Sequence, residues 1–168
     1  MKFSAEYWRP DGLARHTLRE PPGLIRVQRV LDVGAGIRPM EWYRPAEHIC
    51  VEPYPPYAAK LKLAGYKVIE ATALATLPEA KTDSIYLLDV IEHMDKDEGW
   101  EVIRLAIVAA RVQVVVYTPE GFMEQDEDHW EMGGDVWQKH RSGWVPEDFG
   151  GWKTISDGRG FLAICTHN

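Results

Sequence analysis

Cysteine is scarce in this chain, with two in 168 residues, Cys50 and Cys165. Both fall in apolar, strand-like runs and neither has metal-ligand spacing. Buried free thiols are expected, not a disulfide framework or a zinc site. Positive charge is also short: 19 Lys and Arg stand against 26 Asp and Glu, a formal net charge of −7. That balance argues against broad binding to a phosphate backbone, and no nucleic-acid partner is expected. No apolar run approaches the length that spans a bilayer, and Met1–Glu6 lacks the apolar core of a signal peptide. No membrane partner is expected, and a cytoplasmic location follows by default. Internal repeats and low-complexity segments are missing as well. The length allows one domain with a substantial core and hardly two.

What is present is a run of apolar segments separated by helical spacing. Val30–Val33 reads as an inner strand, apolar apart from Asp32, that ends on Gly34-Ala35-Gly36. Pro39 suits the first position of a helix, which Pro45 must end quickly. Further strands are expected at His48–Glu52, Lys67–Ala71, Ser84–Asp89 and Val112–Tyr117. Helices are expected over Tyr57–Leu63, which stops at Gly65, and over about Lys96–Ala110, where Trp100, Ile103, Ile107 and Ala110 form one stripe. A short helix begins at Pro146–Phe149. Lys153–Ser156 and Phe161–Thr166 flank Asp157-Gly158-Arg159-Gly160, a hairpin turn. Alternating strands and helices with a closing hairpin predict an α/β fold, a mostly parallel seven-stranded sheet with an antiparallel last strand. Residues 1–28, broken by Pro10, Pro21 and Pro22, read as an irregular arm over the ligand side. Residues 118–145 are long for a connection and form a candidate substrate loop.

A strand, a glycine turn and a helix start make a nucleotide-type site at the carboxyl end of a sheet. The dinucleotide fingerprint needs a third glycine, and Pro39 stands in its place. Its ribose-binding acid is available: Glu52 follows Asp32 by twenty positions and ends the second strand. Asp32 before the first glycine suits a ligand's ammonium group. Together, Asp32-Val33-Gly34-Ala35-Gly36 and Glu52 resemble motif I and the following acidic position of class I S-adenosylmethionine-dependent methyltransferases. Leu88-Asp89-Val90-Ile91-Glu92-His93 resembles the fourth-strand motif of their ubiquinone-biosynthesis-like and methyltransferase-11-like branches.

The resemblance covers about residues 29–166. It implies a single Rossmann-like methyltransferase domain over residues 1–168, with a minimal N-terminal cap and S-adenosyl-L-methionine as cofactor. Asp32, Gly34 and Gly36 would wrap the methionine part, and Glu52 would bind both ribose hydroxyls. Pro53, Tyr54 and Thr72 would lie toward the adenine. Asp89, with the backbone of Leu88 and Val90, would floor the site near the sulfonium. The implied reaction is methyl transfer to a small-molecule acceptor, with O-methylation favoured. A non-catalytic S-adenosylmethionine-binding module and a dinucleotide-dependent oxidoreductase are the alternatives.

For catalysis the candidates are His140, as a general base, and His93. His140-Arg141-Ser142-Gly143-Trp144 with Pro146-Glu147-Asp148-Phe149 resembles a stretch of some of these methyltransferases. A structural role, tying the loop to the sheet end, competes for His140, and a backbone-satisfied helix-start histidine competes for His93. Asp89, Glu92 and His93 also resemble an E-x-x-E-H metal-binding pattern of some ubiquinone-biosynthesis O-methyltransferases, with Asp at the first position; no bound metal is expected. Glu124-Gln125-Asp126-Glu127-Asp128-His129 is either a solvated run or a recognition element for a basic or polyhydroxylated acceptor. Trp130, Trp137 and Trp144 pack the loop onto the domain or wall the acceptor. Arg38 is an exposed arginine or a partner for a cofactor carboxylate. Tyr54-Pro55-Pro56-Tyr57 looks like a DNA methyltransferase motif but follows the wrong strand, and reads as a rigid helix start.

Overall fold

A computed structural model describes residues 20–167. Seven strands among them form one sheet: β1 (Arg29–Val33), β2 (Glu47–Val51), β3 (Lys67–Ile69), β4 (Thr82–Leu88), β5 (Ala110–Pro119), β6 (Lys153–Ser156) and β7 (Gly160–Thr166). Their order is β3-β2-β1-β4-β5-β7-β6. Neighbours from β3 to β5 pair in parallel, and β7 alone runs antiparallel, against both β5 and β6. The strand order reverses between β1 and β4, so a crevice opens beyond the carboxyl ends of those two strands.

The period-two alternation of the strands sorts the core into two layers. Leu31, Val33, Ile85, Leu87, Val114 and Val116 point to one face, where α3 (Lys96–Ala109) lays Val102, Ile103 and Ala106 on them. Val30, Tyr86, Leu88, Val115 and Tyr117 point to the other face. Among the described residues, that face is covered by loop side chains, with Leu24, Val27, Met40, Trp42 and Tyr43 packed against it. α1 (Pro55–Leu63) starts on two prolines, whose missing N–H groups no intrahelical bond would use, and buries Tyr57, Ala58 and Leu61. A four-residue α2 (Ala73–Thr76) and a 3₁₀ turn at Leu77–Glu79 lead into β4.

The helix expected from Pro39 does not form: residues 34–46 are irregular. Only five residues separate Pro39 from Pro45, and the latter disfavours helical angles at Arg44. The N–H groups there find side-chain acceptors instead of a helical ladder. Met40 N–H donates to Asp32 Oδ2 at 2.6 Å, and Trp42 N–H to Met40 Sδ at 3.1 Å. The short helix expected at Pro146–Phe149 is a 3₁₀ turn. Both cysteines are free, Cys50 buried and Cys165 half-buried.

The expected arm over the ligand side divides. Residues 1–19 lie outside the described residues. Residues 20–28 sit elsewhere: Ile25 exchanges two hydrogen bonds with the Gln113 amide near the start of β5, at 3.0 and 2.6 Å, and Gln28 C=O accepts from Glu47 N–H at 2.9 Å. These are the amino-terminal ends of β5 and β2, opposite the crevice. No helix among the described residues is long and apolar enough to cross a membrane.

Candidate functional site

A cavity of about 660 Å³ occupies the crevice, within the range of roughly 300–1,000 Å³ common for small-molecule sites. One end is built by the sheet. Gly34 and Gly36 have φ of +67° and +60°, and Gly34 N–H donates to Val51 C=O at 2.7 Å, folding the turn back over the end of β2. A Cβ at Gly34 would lie 2.7 Å from Val90 Cγ2, so that glycine is also needed for packing. Glu52, the residue after β2, is 4% exposed, and its carboxylate is fixed from both sides. Oε2 accepts from Gly36 N–H at 2.8 Å and Oε1 from Tyr54 N–H at 2.9 Å. Pro53 and Thr72 continue the wall, with the Thr72 hydroxyl capping α2 by accepting from Ala75 N–H at 3.3 Å.

The floor comes from the end of β4. Asp89 takes φ +52°, uncommon for a residue with a Cβ, and is held there as its N–H donates to Tyr117 C=O at 2.9 Å. Asp89 and Val90 both line the cavity.

Three residues expected in the site do not line it. Asp32 is fully buried; besides Met40 N–H, its Oδ2 lies 3.2 Å from His48 Nε2, so it organises the irregular loop after the turn. Leu88 is packed inside the sheet. Tyr54 donates its hydroxyl to Met132 C=O at 2.8 Å and fastens the long loop to α1.

The other end is built by residues 120–145, which contain one short helix, α4 (Asp135–Gln138). Asp128 knots this loop. Its Oδ1 accepts from Trp130 N–H at 2.8 Å, its Oδ2 from Met132 and Gly134 N–H at 2.9 Å each, and its own N–H donates to Asp135 Oδ1 at 2.7 Å. Burial raises the Asp128 carboxyl pKa, but the neighbouring Tyr57 hydroxyl and the three N–H groups outweigh it and hold it below the ordinary value. Burial, with Asp128 beside it, pushes the Tyr57 hydroxyl well above the usual tyrosine range. The knot delivers Trp130 against Gly36, where a Cβ would run into the indole ring, and edge-on to Tyr57 at 4.9 Å. Reading the sequence did not place Trp130 on the glycine turn. The available signal was Asp128 itself, whose short side chain reaches N–H groups two, four and six residues on.

His93 and His140 meet in the wall with ring centroids 4.9 Å apart. His93 ends a 3₁₀ turn, Ile91–His93, that follows β4, and His140 follows α4. Arg141 and Ser142 N–H donate to Glu92 C=O at 2.7 and 3.2 Å, which stitches the two segments together. Trp144, fully buried, anchors the return, donating from Nε1 to Ser142 Oγ at 2.9 Å. Nδ1 of His140 lies 2.6 Å from Met123 C=O and Nδ1 of His93 lies 3.3 Å from Lys139 C=O. A carbonyl only accepts, so both Nδ1 atoms carry the proton and the lone pair falls on Nε2. Burial lowers the His140 pKa and His129 adds to this, against the opposing pull of the Met123 carbonyl, so the ring is neutral at pH 7. Glu92 is buried, and its Oε2 accepts from Thr118 Oγ1 at 3.0 Å. One ligand atom each of Glu92, His93 and His140 lies within 4.8 Å of the others, a set with the donor types of a divalent transition-metal site.

Comparison with protein-family models and with curated proteins gives no match. Solved structures do match. Magnesium protoporphyrin IX methyltransferase from Synechocystis, a structure with bound SAM, aligns with a TM-score of 0.58 at 10% identity, over 84% of this chain and 70% of that one. A SAM-dependent methyltransferase from Archaeoglobus fulgidus aligns with a TM-score of 0.59 at 13% identity, over 84% of this chain and 86% of that one. An O-methyltransferase family protein from Burkholderia thailandensis aligns with a TM-score of 0.60 at 16% identity over 85% of this chain, which spans 51% of that protein. Identities this low speak to architecture and not to chemistry. With the sheet order and the single antiparallel strand, they show that the chain has the Rossmann-like fold of class I S-adenosylmethionine-dependent methyltransferases.

Proposed function

We propose that this protein binds S-adenosylmethionine and transfers its methyl group to a small-molecule acceptor, with a hydroxyl as the favoured target. The observation that carries this reading is Glu52, a buried carboxylate fixed by Gly36 and Tyr54 N–H in the cavity wall. A vicinal diol needs two acceptor oxygens at one place, and this carboxylate offers them at the end of the glycine turn. Asp89, at the floor, favours a cationic centre by charge.

Bound S-adenosylmethionine supplies an electrophilic methyl group on a sulfonium. The chain's own residues do the rest. Glu52 holds the ribose, Pro53 and Thr72 border the adenine, and the backbone of the Gly34–Gly36 turn borders the amino-acid end, with Arg38 close enough to the cavity to meet its carboxylate. Asp32 acts one step back by holding the loop that carries Arg38. His140 takes the acceptor proton at Nε2 while the cavity walls exclude water and align the reacting atoms. A non-catalytic binding module would have no need for the cavity to continue past Asp89 to His93, His140 and Trp137, as it does. A dinucleotide reading suffers from Pro39, which stands where the fingerprint's third glycine would pack beside a pyrophosphate.

A second reading of the proton step is favoured by the Glu92–His93–His140 cluster. A divalent cation on these three residues would polarise the acceptor hydroxyl in place of the imidazole base, each ring being oriented by its Nδ1–carbonyl bond. Treatment with a chelator separates the two: the base mechanism is indifferent to it. For the central proposal the test is calorimetry with S-adenosylhomocysteine and with NAD. Binding of the first and none of the second is expected. The reverse result would overturn the reading.

A further inference from the structure

The cavity wall carries exposed apolar side chains that the fold does not use. Met123, Val136 and Trp137 are 40%, 69% and 41% exposed, and all three line the cavity. α4, which carries Val136 and Trp137, has no buried residue, so these side chains contribute nothing to a core. Their backbone is nevertheless firmly held. Trp137 and Gln138 N–H donate to Gly134 C=O at 2.9 and 3.0 Å, and Gln125 Nε2 donates to Gln138 C=O at 2.8 Å. The Asp128–Asp135 bond closes the same platform. An ordered platform that keeps large apolar groups in water is a feature of binding surfaces.

Charge narrows the occupant. Five acids (Glu52, Asp89, Glu92, Glu98 and Glu124) face the cavity against two arginines, Arg38 and Arg141. Such a wall disfavours a carboxylated or phosphorylated acceptor. Part of the acidic run that suggested a basic or polyhydroxylated acceptor turns elsewhere: Asp126 pairs with Lys139 at 2.8 Å, and Asp128 is spent on the knot, while Glu124, Gln125 and His129 line the cavity. This apolar patch is continuous with the wall that holds His140, so one molecule can rest its apolar part on the platform while its hydroxyl reaches the imidazole.

We infer that the acceptor is a hydroxylated molecule without negative charge and with an apolar aryl or alkyl portion, seated on Met123, Val136 and Trp137. This rests on the methyltransferase reading for the identity of the site as an acceptor site, but the seat itself is a binding property and is read without turnover. The test is calorimetry of the full chain, first with S-adenosylhomocysteine alone, then with phenol and 4-alkylphenols of increasing chain length, both with and without that nucleoside. Affinity should rise by up to about fourfold per added methylene. 4-Hydroxybenzoate and inositol should bind more weakly than any alkylphenol. Trp137→Ala and Val136→Asp, which remove no buried contact, should flatten the dependence on chain length.

Affinities that ignore chain length, or tighter binding of the benzoate or the polyol, would overturn the inference. A chain lacking residues 2–19 gives the remaining outcome: if alkylphenols bind only after that deletion, the platform is the seat of the chain's own N-terminal segment, and the inference fails. S-adenosylhomocysteine that does not bind while alkylphenols do would sink the methyltransferase reading and leave the apolar seat standing.

Discussion

The two ends of the cavity are built by different means. At the glycine turn, Gly34, Glu52 and Asp89 are the first residues beyond β1, β2 and β4, and their backbone is fixed by neighbours in the sheet, as in Gly34 N–H to Val51 C=O and Asp89 N–H to Tyr117 C=O. At the histidine end, a loop of more than twenty residues is fixed by side chains: Asp128 for the knot, Gln125 for α4, Trp144 for the return. The first end inherits its rigidity from the fold, and the second has to make its own. A donor common to many enzymes suits the first kind of construction, and an acceptor that differs between them suits the second.

The comparison is broken most severely at Glu52. Glu52→Ala removes the proposed diol acceptor and strands the Gly36 and Tyr54 N–H groups together. S-adenosylhomocysteine affinity should fall at least about thirtyfold, on the order of 2 kcal/mol or more, in calorimetry. Glu52→Gln, which keeps one carbonyl oxygen for one of the N–H groups, should fall between the two. Equal binding by all three proteins would remove Glu52 from the ligand.

Asp128→Ala strikes the other end. Three N–H groups lose a charged acceptor, for a local loss of about 2–3 kcal/mol. Hydrogen exchange should accelerate across residues 128–138 and stay unchanged in β1, β4 and β5. Acceleration in the strands as well would mean that the loop and the sheet form one cooperative unit.

How much of this was legible follows the same division. The strands announced themselves as continuous apolar runs, and the glycine turn with Glu52 could be read because a strand end and the next acid lie close in sequence. One short-range reading failed. Pro39 suggested a helix, but Pro45 and the Asp32–Met40 bond left it no room. Asp32, read as a ligand residue, is buried and spends one oxygen on Met40 N–H. A carboxylate's direction depends on which N–H groups fold back toward it, which residue spacing does not reveal. At the far end, His93 and His140 were each singled out, but no local pattern says that residues 47 positions apart will share one wall. That meeting depends on Arg141 and Ser142 N–H finding Glu92 C=O, a pairing with no periodicity to betray it.

A pair of glycines isolates the contact between the two ends. Gly65 has φ +91° with nothing within 4 Å of its Cβ position, so Gly65→Ala should cost about 1 kcal/mol from backbone strain alone. Gly36, at φ +60°, carries the Trp130 ring in addition. Gly36→Ala should therefore destabilise by more, about 2 kcal/mol by urea unfolding. Combined with Trp130→Ala, the cost of the alanine at 36 should drop toward the Gly65 value. A cost that stays the same in both backgrounds would separate the loop from the turn.

The gentlest perturbation is pH, and its sign follows from Asp128. This carboxyl has a folded pKa held below its unfolded value of about 3.9, so its contribution to the loop is fully present above that value. It is lost as pH falls through the folded pKa, when protonation removes acceptor strength from the bonds to Trp130, Met132 and Gly134. The knot should stay closed from neutral pH down to about 4 and open only below it. Tryptophan fluorescence should report this as a transition that precedes global unfolding, since Trp130 leaves the edge of Tyr57 and the face of Gly36. Asp128→Asn, which has no carboxyl to titrate, should abolish the early transition while keeping acid unfolding of the sheet. An early transition that survives in Asp128→Asn would assign it to another carboxylate and would leave the histidine end as insensitive to mild acid as the glycine end.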